Sequence, residues 1–489
     1  SGSQNTALGE GSLSSTTTGG SNTALGRDAL FANTTAHDNV AVGKSAGKAI
    51  TTGANNVIVG TLAGDAITTG GSNTAVGRSA LGGVTTADNN TGIGNSAGAA
   101  ITTGAENTLV GALCGDAITT GSYNVFVGKG AGSAATTSDD NTAVGKDALL
   151  TCTTGNSNST FGKRAGENLT TANDCTLIGK EAGQSITTGT KNTIVGRTAG
   201  NAITTGDEFT AVGYHAGLYA TGGSNTFVGE AAGRGVSGSS TASNNTAVGR
   251  NALYAYTTGD TNCAFGKDSL IALTTGTNNV AVGQGSGKAI TSGATNICLG
   301  DICGDNITDG NENILIGYQC RTGSSGHDRT ICLGYQVTGA ENSFTFGEGS
   351  SDSRVASGAT TITAPSDERY KEDITTATAG LSFIKDLRPV TFKWKKEKDI
   401  PNTQNAYVEG SDKRVINDKI NHGFIAQEVK TAINAHSEIK DGFEMWSEDS
   451  NDGRQRLGDA ALMPMMVKAV QELSTALDAA LARIATLEG

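Results

Sequence analysis

The sequence predicts a mainly β fold in which residues 1–347 form a β-roll or β-solenoid of about twenty coils. The first observation is a glycine that follows an apolar residue and returns every seventeen positions, in twenty-one copies from Gly9 to Gly347. The second is a change of composition near residue 365: 63 of the 70 glycines precede it, whereas all four prolines, both tryptophans and all four methionines lie at or after it. Stacked coils bury apolar surface only against their neighbours, so we expect a rod followed by a small α+β domain.

Each coil reads Asn-Thr-Ala-Val-Gly, two variable residues, Ala-Gly or Ala-Leu, two more residues and then Ile-Thr-Thr-Gly, with residues 56–70 as one variant. Two short strands and two turns fit this unit. Side chains alternate between the two faces of a strand, and the residue before the glycine is apolar in every copy, so we expect it to point inward. A second apolar position, seven residues after the glycine and occupied by Ile50 and Ile67 among others, is predicted to face it across a thin core.

Asparagine stands four residues before the glycine in seventeen of the twenty-one copies, which predicts a ladder of hydrogen bonds along the rod. A metal site is the alternative, but asparagine without accompanying carboxylates is a poor ligand set for hard cations, so we expect neither a metal nor a cofactor. Adjacent threonines, as at Thr68 and Thr69, also raise an ice-binding alternative. Neighbouring strand residues point to opposite faces, which disfavours a flat ice-binding surface.

The formal net charge is −12 and the sequence shows no basic cluster, which argues against a nucleic-acid partner. No apolar run approaches eighteen residues, so we expect no membrane insertion. The eight cysteines are scattered and read as small apolar fillers, although Cys303 and Cys320 share a repeat position where a disulfide is conceivable. The repeat register already holds at residues 5–9, so we expect an attachment segment upstream.

The recurring Asn-Thr-Ala-Val-Gly, over roughly residues 5–347, resembles the repeats of YadA-like trimeric autotransporter adhesin heads. That resemblance implies three β-rolls side by side. The repeat here has seventeen residues where the adhesin repeat has near fourteen, so the trimer contacts carry over only loosely. Similar repeats also occur in phage tail fibres.

The last 124 residues carry four motifs in order: Ser366 to Ile374, Leu387 to Trp394, His422 to Val429 and Leu462 to Glu472. Together they closely resemble the intramolecular chaperone domain of endosialidase-type phage tailspikes. The resemblance implies a chaperone that trimerises the preceding β-structure and then releases itself by one self-cleavage before a serine. We therefore divide the chain into a shaft of residues 1–347, a neck of residues 348–365 with the cleavage site, and a chaperone domain of residues 366–489.

In that family a Ser-Lys dyad makes the cut, and Ser366 and Lys371 match its nucleophile and base. The bond cleaved would be Pro365–Ser366, in a single turnover, with no turnover activity expected in the shaft. A lysine can act as a base only when its pKa is lowered. The alternative is that Ser366 and Asp367 begin a helix and that Lys371 is a solvated charge. Proline before the serine is a departure from the family pattern, and we expect it either to slow cleavage or to leave the chain intact.

At the end of the chain, residues 462–487 are predicted to form a coiled-coil helix, because apolar residues alternate by four and three positions. The seam comprises Met466, Val470, Leu473, Leu477, Ala480, Ile484 and Leu487. Three strands are expected, to match a trimeric shaft. The alternative is an amphipathic helix that packs on its own domain.

These features favour a homotrimeric virion tail fibre or tailspike segment that reaches a host cell-surface receptor. A bacterial trimeric surface adhesin is the second hypothesis, and a glycan-degrading tailspike is the third. If the shaft binds a receptor, aromatic or irregular coils are the expected places, namely residues 214–219, 234–243 and 254–256. The first and third of these segments contain tyrosines, whose rings suit sugar stacking.

Overall fold

The computed structural model describes residues 2–359, 362–364, 366–402, 404, 406–440, 443, 445–448 and 453–488. The chain divides into two compact units, residues 1–365 and residues 366–489, and each is described by itself. Among the described residues, no helix combines the length and the apolar character needed to cross a membrane.

The N-terminal unit is a β-solenoid, as predicted, with one short strand per coil. Its nineteen regular strands of three residues are β1 Thr6–Leu8, β2 Thr23–Leu25, β3 Val40–Val42, β4 Val57–Val59, β5 Thr74–Val76, β6 Thr91–Ile93, β7 Thr108–Val110, β8 Val125–Val127, β9 Thr142–Val144, β10 Ser159–Phe161, β11 Thr176–Ile178, β12 Thr193–Val195, β13 Thr210–Val212, β14 Thr226–Val228, β15 Thr246–Val248, β16 Cys263–Phe265, β17 Val280–Val282, β18 Ile297–Leu299 and β19 Ile314–Ile316. The final coils add β20 Arg321–Thr322, β21 Thr330–Tyr335, β22 Thr338–Gly339, β23 Ser343–Glu348 and β24 Ser351–Ala356.

Successive strands pair in parallel and in register, so that equivalent repeat positions form straight rows along the stack. Thr6 lies opposite Thr23, and the same pairing continues through a coil of sixteen residues (Thr210 with Thr226) and one of twenty (Thr226 with Thr246). Twenty-two described strands form this one sheet, and β20 pairs separately with β22. The sheet ends where β24 turns back antiparallel to β23.

The prediction of two strands per coil is wrong, because tight turns replace the second strand. In the coil after Gly43, Ser45 and Gly47 both have a φ of 58°, and the equivalent positions of other coils repeat this left-handed backbone. Residues with positive φ interrupt extended chain. The coil therefore closes through a succession of corners, whose amides bond to the next coil, as Gly47 N does to Ala63 O at 3.0 Å.

The core of the solenoid is the row of central strand residues packed against the apolar row seven residues after each glycine. Ile58 and Phe126 at strand centres are fully buried, and so are Ile50 and Ile67 opposite them. The second apolar position therefore lies inside, as predicted. The prediction for the residue before the glycine is wrong: this residue points outward, and Leu25 is 43% exposed. The inward-facing residue of each strand lies one position earlier than predicted. The alternation does not distinguish the two faces of the strand, because both carry apolar residues.

The asparagine ladder is present and buried. Asn124 donates its backbone N–H to Asn107 Oδ1 at 3.0 Å and its Nδ2 to Ser138 O at 2.8 Å, and its own Oδ1 accepts from Asn141 N at 3.1 Å. Each asparagine thus bonds to both neighbouring coils, through its backbone N–H on one side and its side chain on the other. Buried polar groups without such partners cost about 1–3 kcal/mol each. Asn95, by contrast, lies exposed after its anchor glycine.

A second ladder uses the first threonine of each Thr-Thr pair. Thr68 Oγ1 donates to Thr85 O at 3.0 Å, and Thr119 Oγ1 donates to Thr136 O at 3.1 Å. These hydroxyls are therefore engaged in holding adjacent coils together. All eight cysteines are free, including Cys303 and Cys320. Burial raises the pKa of the Cys114 thiol to about 12, in keeping with a filler in the core.

The C-terminal unit is a small α+β region. Its elements are α1 Leu381–Asp386, β25 Val390–Phe392, β26 Asn421–Gly423, α2 Ala426–Ala435, β27 Trp446–Glu448, β28 Gln455–Leu457 and the 27-residue helix α3 Leu462–Glu488, with short 3-10 turns at Glu368–Tyr370, Glu397–Asp399 and Asp459–Ala461. Strands β25 and β26 pair antiparallel, as do β27 and β28. Its core gathers Phe383, Val429, Ile433, Met445 and Leu462.

The anchor glycines give a first testable prediction. Gly145 has a φ of +137°, and a Cβ added there would lie 2.5 Å from the carbonyl oxygen of Gly162 in the next coil. We expect Gly145→Asn to destabilise the shaft by at least about 3 kcal/mol, measured by thermal unfolding with far-UV circular dichroism. Gly238→Asn is the matched control: φ is +73° and nothing lies within 4 Å, and asparagine tolerates that region. Equal melting temperatures for the two variants would contradict the close stacking.

Candidate functional site

Ser366 and Lys371 are in hydrogen-bond contact. Lys371 Nζ donates to Ser366 Oγ at 2.8 Å. A 3-10 turn at Glu368–Tyr370 makes this possible, because it folds the chain back between extended residues at Asp367 and Lys371. The structure therefore brings together the two residues that the sequence analysis selected as nucleophile and base, at the separation that proton transfer requires.

The cap of that turn is Asp367 and not Ser366. The Asp367 carboxylate accepts from Arg369 N at 2.9 Å and forms an ion pair with the Arg369 guanidinium. This hydrogen bonding lowers the pKa of Asp367. Asp367 therefore caps the turn, in agreement with the alternative in which Ser366 and Asp367 begin a helical segment, whereas the Ser366 hydroxyl is in contact with Lys371.

Both side chains of the pair are exposed to solvent. In this contact Lys371 donates the hydrogen bond, whereas a general base must accept the serine proton. The pair thus has the contact of a dyad without the burial that would activate it. Pro365, on the other side of the predicted cleavage bond, lies outside the described residues.

The second and third sequence motifs contact each other through a two-stranded sheet and an ion pair. Strand β25 pairs with β26 so that Thr391 lies opposite His422. Arg388 Nε donates to Glu428 Oε2 at 2.9 Å, and a second contact joins the Arg388 guanidinium to Glu428 Oε1. The hydrogen bond from Arg388 lowers the pKa of Glu428. These motif residues fix the arrangement of β25, β26 and α2.

The third motif runs from strand β26 into helix α2, which begins at Ala426. Gly423 belongs to β26, and the buried face of α2 is formed by Val429, Ala432 and Ile433. His422 is exposed on β26, and no group of three or more His, Cys, Asp or Glu in the described part of the chain is placed to hold a metal ion.

Residues 366–437 match the family model described as the chaperone of endosialidase. The C-terminal unit carries an endosialidase-type chaperone domain. The match begins at Ser366 and covers the first three motifs, while the fourth motif lies beyond it. Neither the search of curated proteins nor the search of solved structures returned a match.

The fourth motif attaches helix α3 to the chaperone domain through its first turns. Glu472 Oε2 accepts from Leu381 N at 2.7 Å, at the start of α1. Leu462 and Ala469 are buried, but all seven residues of the predicted seam, from Met466 to Leu487, are exposed. The helix is confirmed, and its apolar seam does not pack on its own domain as the alternative required.

His436 is a charged partner that the sequence did not single out. Its Nε2 lies 2.9 Å from Asp386 Oδ2, its Nδ1 lies 3.2 Å from Glu438 Oε1, and its ring packs edge-on against Phe383. The hydrogen bond to Asp386 is the main cause that raises the pKa of His436. The lone histidine gave no sequence signal, because its partner is fifty residues away.

In the irregular coils, the aromatic side chains contact other residues of the shaft. The Arg234 guanidinium lies over both the Tyr219 and Tyr254 rings, 4.9 and 5.1 Å from their centroids. Tyr214 stacks on His215, and Tyr256 is fully buried. The exposed ring of Tyr214 and the half-buried rings of Tyr219 and Tyr254 each contact a residue of the same chain. A receptor site here stays a prediction.

The raised pKa of His436 predicts how the stability of the chaperone domain depends on pH. A folded-state pKa above the unfolded value stabilises the fold below the unfolded pKa of about 6.5, and this stabilisation is lost as the pH rises through the folded pKa. We expect His436→Gln to lower the melting temperature at about pH 5.5 and to have a smaller effect at about pH 8. Both tryptophans lie in residues 366–489, so their fluorescence follows this unit. An effect of the variant that is equal at both pH values would contradict the assignment.

Proposed function

We propose that the chain is part of a homotrimeric viral tail fibre or tailspike that attaches to a host cell-surface receptor. The chaperone domain would align three copies, promote folding of the β-solenoid shaft, and then leave by cleavage before Ser366. The observation that carries this proposal is the endosialidase-type chaperone match at the end of a long β-solenoid. Its setting would be the virion.

The exposed seam of α3 supports self-association. An apolar stripe that spans several helical turns and packs on nothing in its own domain is the pattern of a helix awaiting partners. Local helix contacts form quickly, whereas pairing between distant strands is slow. A helix cluster that forms first would hold three chains side by side while the coils of each shaft close.

The solvent exposure of Ser366 and Lys371 connects cleavage to assembly. A lysine acts as a base only when desolvation or nearby cations favour its neutral form, and Lys371 is exposed to solvent in the single chain. Packing of partner chains over residues 366–371 would supply the desolvation. The cut would then come only after the chaperone has completed its task. The Ser366 hydroxyl would attack the Pro365 carbonyl carbon and lose its proton to Lys371, and the Pro365–Ser366 amide bond would break as its nitrogen takes up that proton. Water would then hydrolyse the resulting ester and separate the two fragments.

The dyad gives a prediction on cleavage of the expressed full chain. We expect the intact protein to yield a fragment of residues 366–489, and Ser366→Ala to yield none. Lys371→Arg is the sharper variant, because arginine keeps the positive charge and the donated hydrogen bond but cannot be deprotonated to act as a base. We expect Lys371→Arg to slow cleavage at least about a hundredfold. Intact-protein mass spectrometry over time measures the rate.

Lys440→Arg is the matched control on an exposed surface of the same unit, and it should cleave at the normal rate. Normal cleavage in Lys371→Arg would remove Lys371 as the base. A fragment that begins at another residue would remove Ser366 as the nucleophile.

The α3 seam gives a separate prediction on assembly. Val470→Lys together with Leu477→Lys places two charges where three helices would meet, which costs several kcal/mol for each buried, unpaired ammonium group. We expect trimer to be lost in native mass spectrometry and cleavage to decline with it. Thr475→Lys with Ala482→Lys adds the same charges on the opposite face of α3 and should leave the trimer intact. Loss of trimer in both pairs would argue against a specific seam.

A further inference from the structure

The outward face of the solenoid sheet carries an apolar row along its whole length. The residue before each anchor glycine is apolar in all twenty-one coils and points away from the core. Phe161 and Val282 are each 42% exposed, and Leu333 is 45% exposed. Because the strands pair in register, these side chains lie one above another from the first coil to the last.

The apolar row is part of a long outward face of the sheet. About twenty coils at ~4.8 Å per strand give a face about 100 Å long. With two outward positions per strand, the face is ~7 Å wide and its area is on the order of 700 Å². One of the two positions is the apolar row, and the other is threonine or serine in twelve of the twenty-one coils. A standard interface buries about 800 Å² from each partner, so the face is comparable in area to one side of such an interface.

An acidic row borders this face on the side where the strands begin. The two positions that lie five and six residues before each anchor glycine hold twelve acidic and two basic residues. The acidic residues are Asp38, Asp88, Glu106, Asp139, Asp140, Asp174, Asp207, Glu208, Asp260, Glu312, Asp328 and Glu341.

A basic row borders the same face on the side where the strands end. The position directly after the anchor glycine holds ten basic and four acidic residues. The basic residues are Arg27, Lys44, Arg78, Lys129, Lys146, Lys163, Lys180, Arg197, Arg250 and Lys267. No basic cluster is visible along the sequence, because seventeen residues separate each member of the row from the next.

Several charges in the middle coils have no partner of opposite charge in their own chain. Lys146 and Lys180 are paired with the acidic residues that follow them, at 3.6 and 3.4 Å. Lys129 and Lys163 make no ion pair within the described part of the chain, and neither do Asp140 and Asp174 on the opposite border.

We propose that the apolar face is the contact between parallel copies of this chain, with the acidic row of one copy against the basic row of the next. When copies are related by a rotation axis parallel to the rod, the acidic border of each copy, where its strands begin, lies against the basic border of its neighbour, where the strands end. An antiparallel arrangement would instead place like charges together, which is unfavourable. The charge rows therefore specify direction and register, and the number three rests on the proposed trimeric fibre.

The test is a charge exchange in the full-length chain. Lys129→Glu with Lys163→Glu places two acidic residues in the basic row, and Asp140→Lys with Asp174→Lys places two basic residues in the acidic row. Lysine is tolerated at the latter positions, since Lys191 occupies the equivalent place with a φ of 58°. We expect each pair to reduce the trimer recovered at low salt about fivefold or more, and the combined four-residue variant to restore it. Native mass spectrometry measures the recovery, and high salt should shrink the differences.

Lys48→Glu with Lys288→Glu is the matched control. Both residues are exposed lysines of the shaft, five residues after their anchor glycines and outside the two rows. Trimers that form equally well in both single-row variants, or a combined variant no better than either, would overturn this interface while leaving the trimer itself standing. A wild-type chain that stays monomeric would overturn both proposals. Loss of cell adsorption by the basic-row variant with an unchanged trimer would show that this face meets the host instead.

Discussion

The in-register parallel stacking of coils is the constraint on which the rest of the structure depends. Each three-residue strand bonds to the equivalent strand seventeen residues later, and the buried asparagine beside it bonds to both neighbouring coils. Such a strand is too short to be stable alone. Stability comes from repetition, since every coil satisfies the polar groups of the next and covers its apolar side chains. The rows on the surface are a consequence of the same register.

The period of the glycines was sufficient to predict the solenoid, the buried isoleucine row and the asparagine ladder. Which strand face lies inside could not be obtained from it, because alanine or leucine at the strand centre and valine at its end are both apolar. Alternation identifies two faces but does not distinguish them when neither is polar. The second strand was predicted wrongly for a related reason: Ser45 and its equivalents adopt positive φ without being glycine, which composition does not reveal.

The candidate site was accessible to sequence reasoning through motif spacing, and the contact between Ser366 and Lys371 agrees with that spacing. Its solvent exposure was not accessible, since burial depends on tertiary contacts. The ion pair of Arg388 with Glu428 joins residues forty positions apart, and the pairing of His436 with Asp386 spans fifty. Long-range charge pairs of this kind, like the two charged borders of the shaft, become visible only once the chain is folded.

Strand register is independent of the number of residues in a coil. The coil of twenty residues returns to the same pairing as its neighbours, and its surplus is absorbed between Gly235 and Ser240, where Val236 protrudes. The shaft is therefore modular in two senses. Inserting a whole repeat would lengthen the shaft by about 4.8 Å and keep the same pattern of bonds between neighbouring coils. New loops could be grafted into single turns, which gives such a protein a simple evolutionary route to altered span and altered surface.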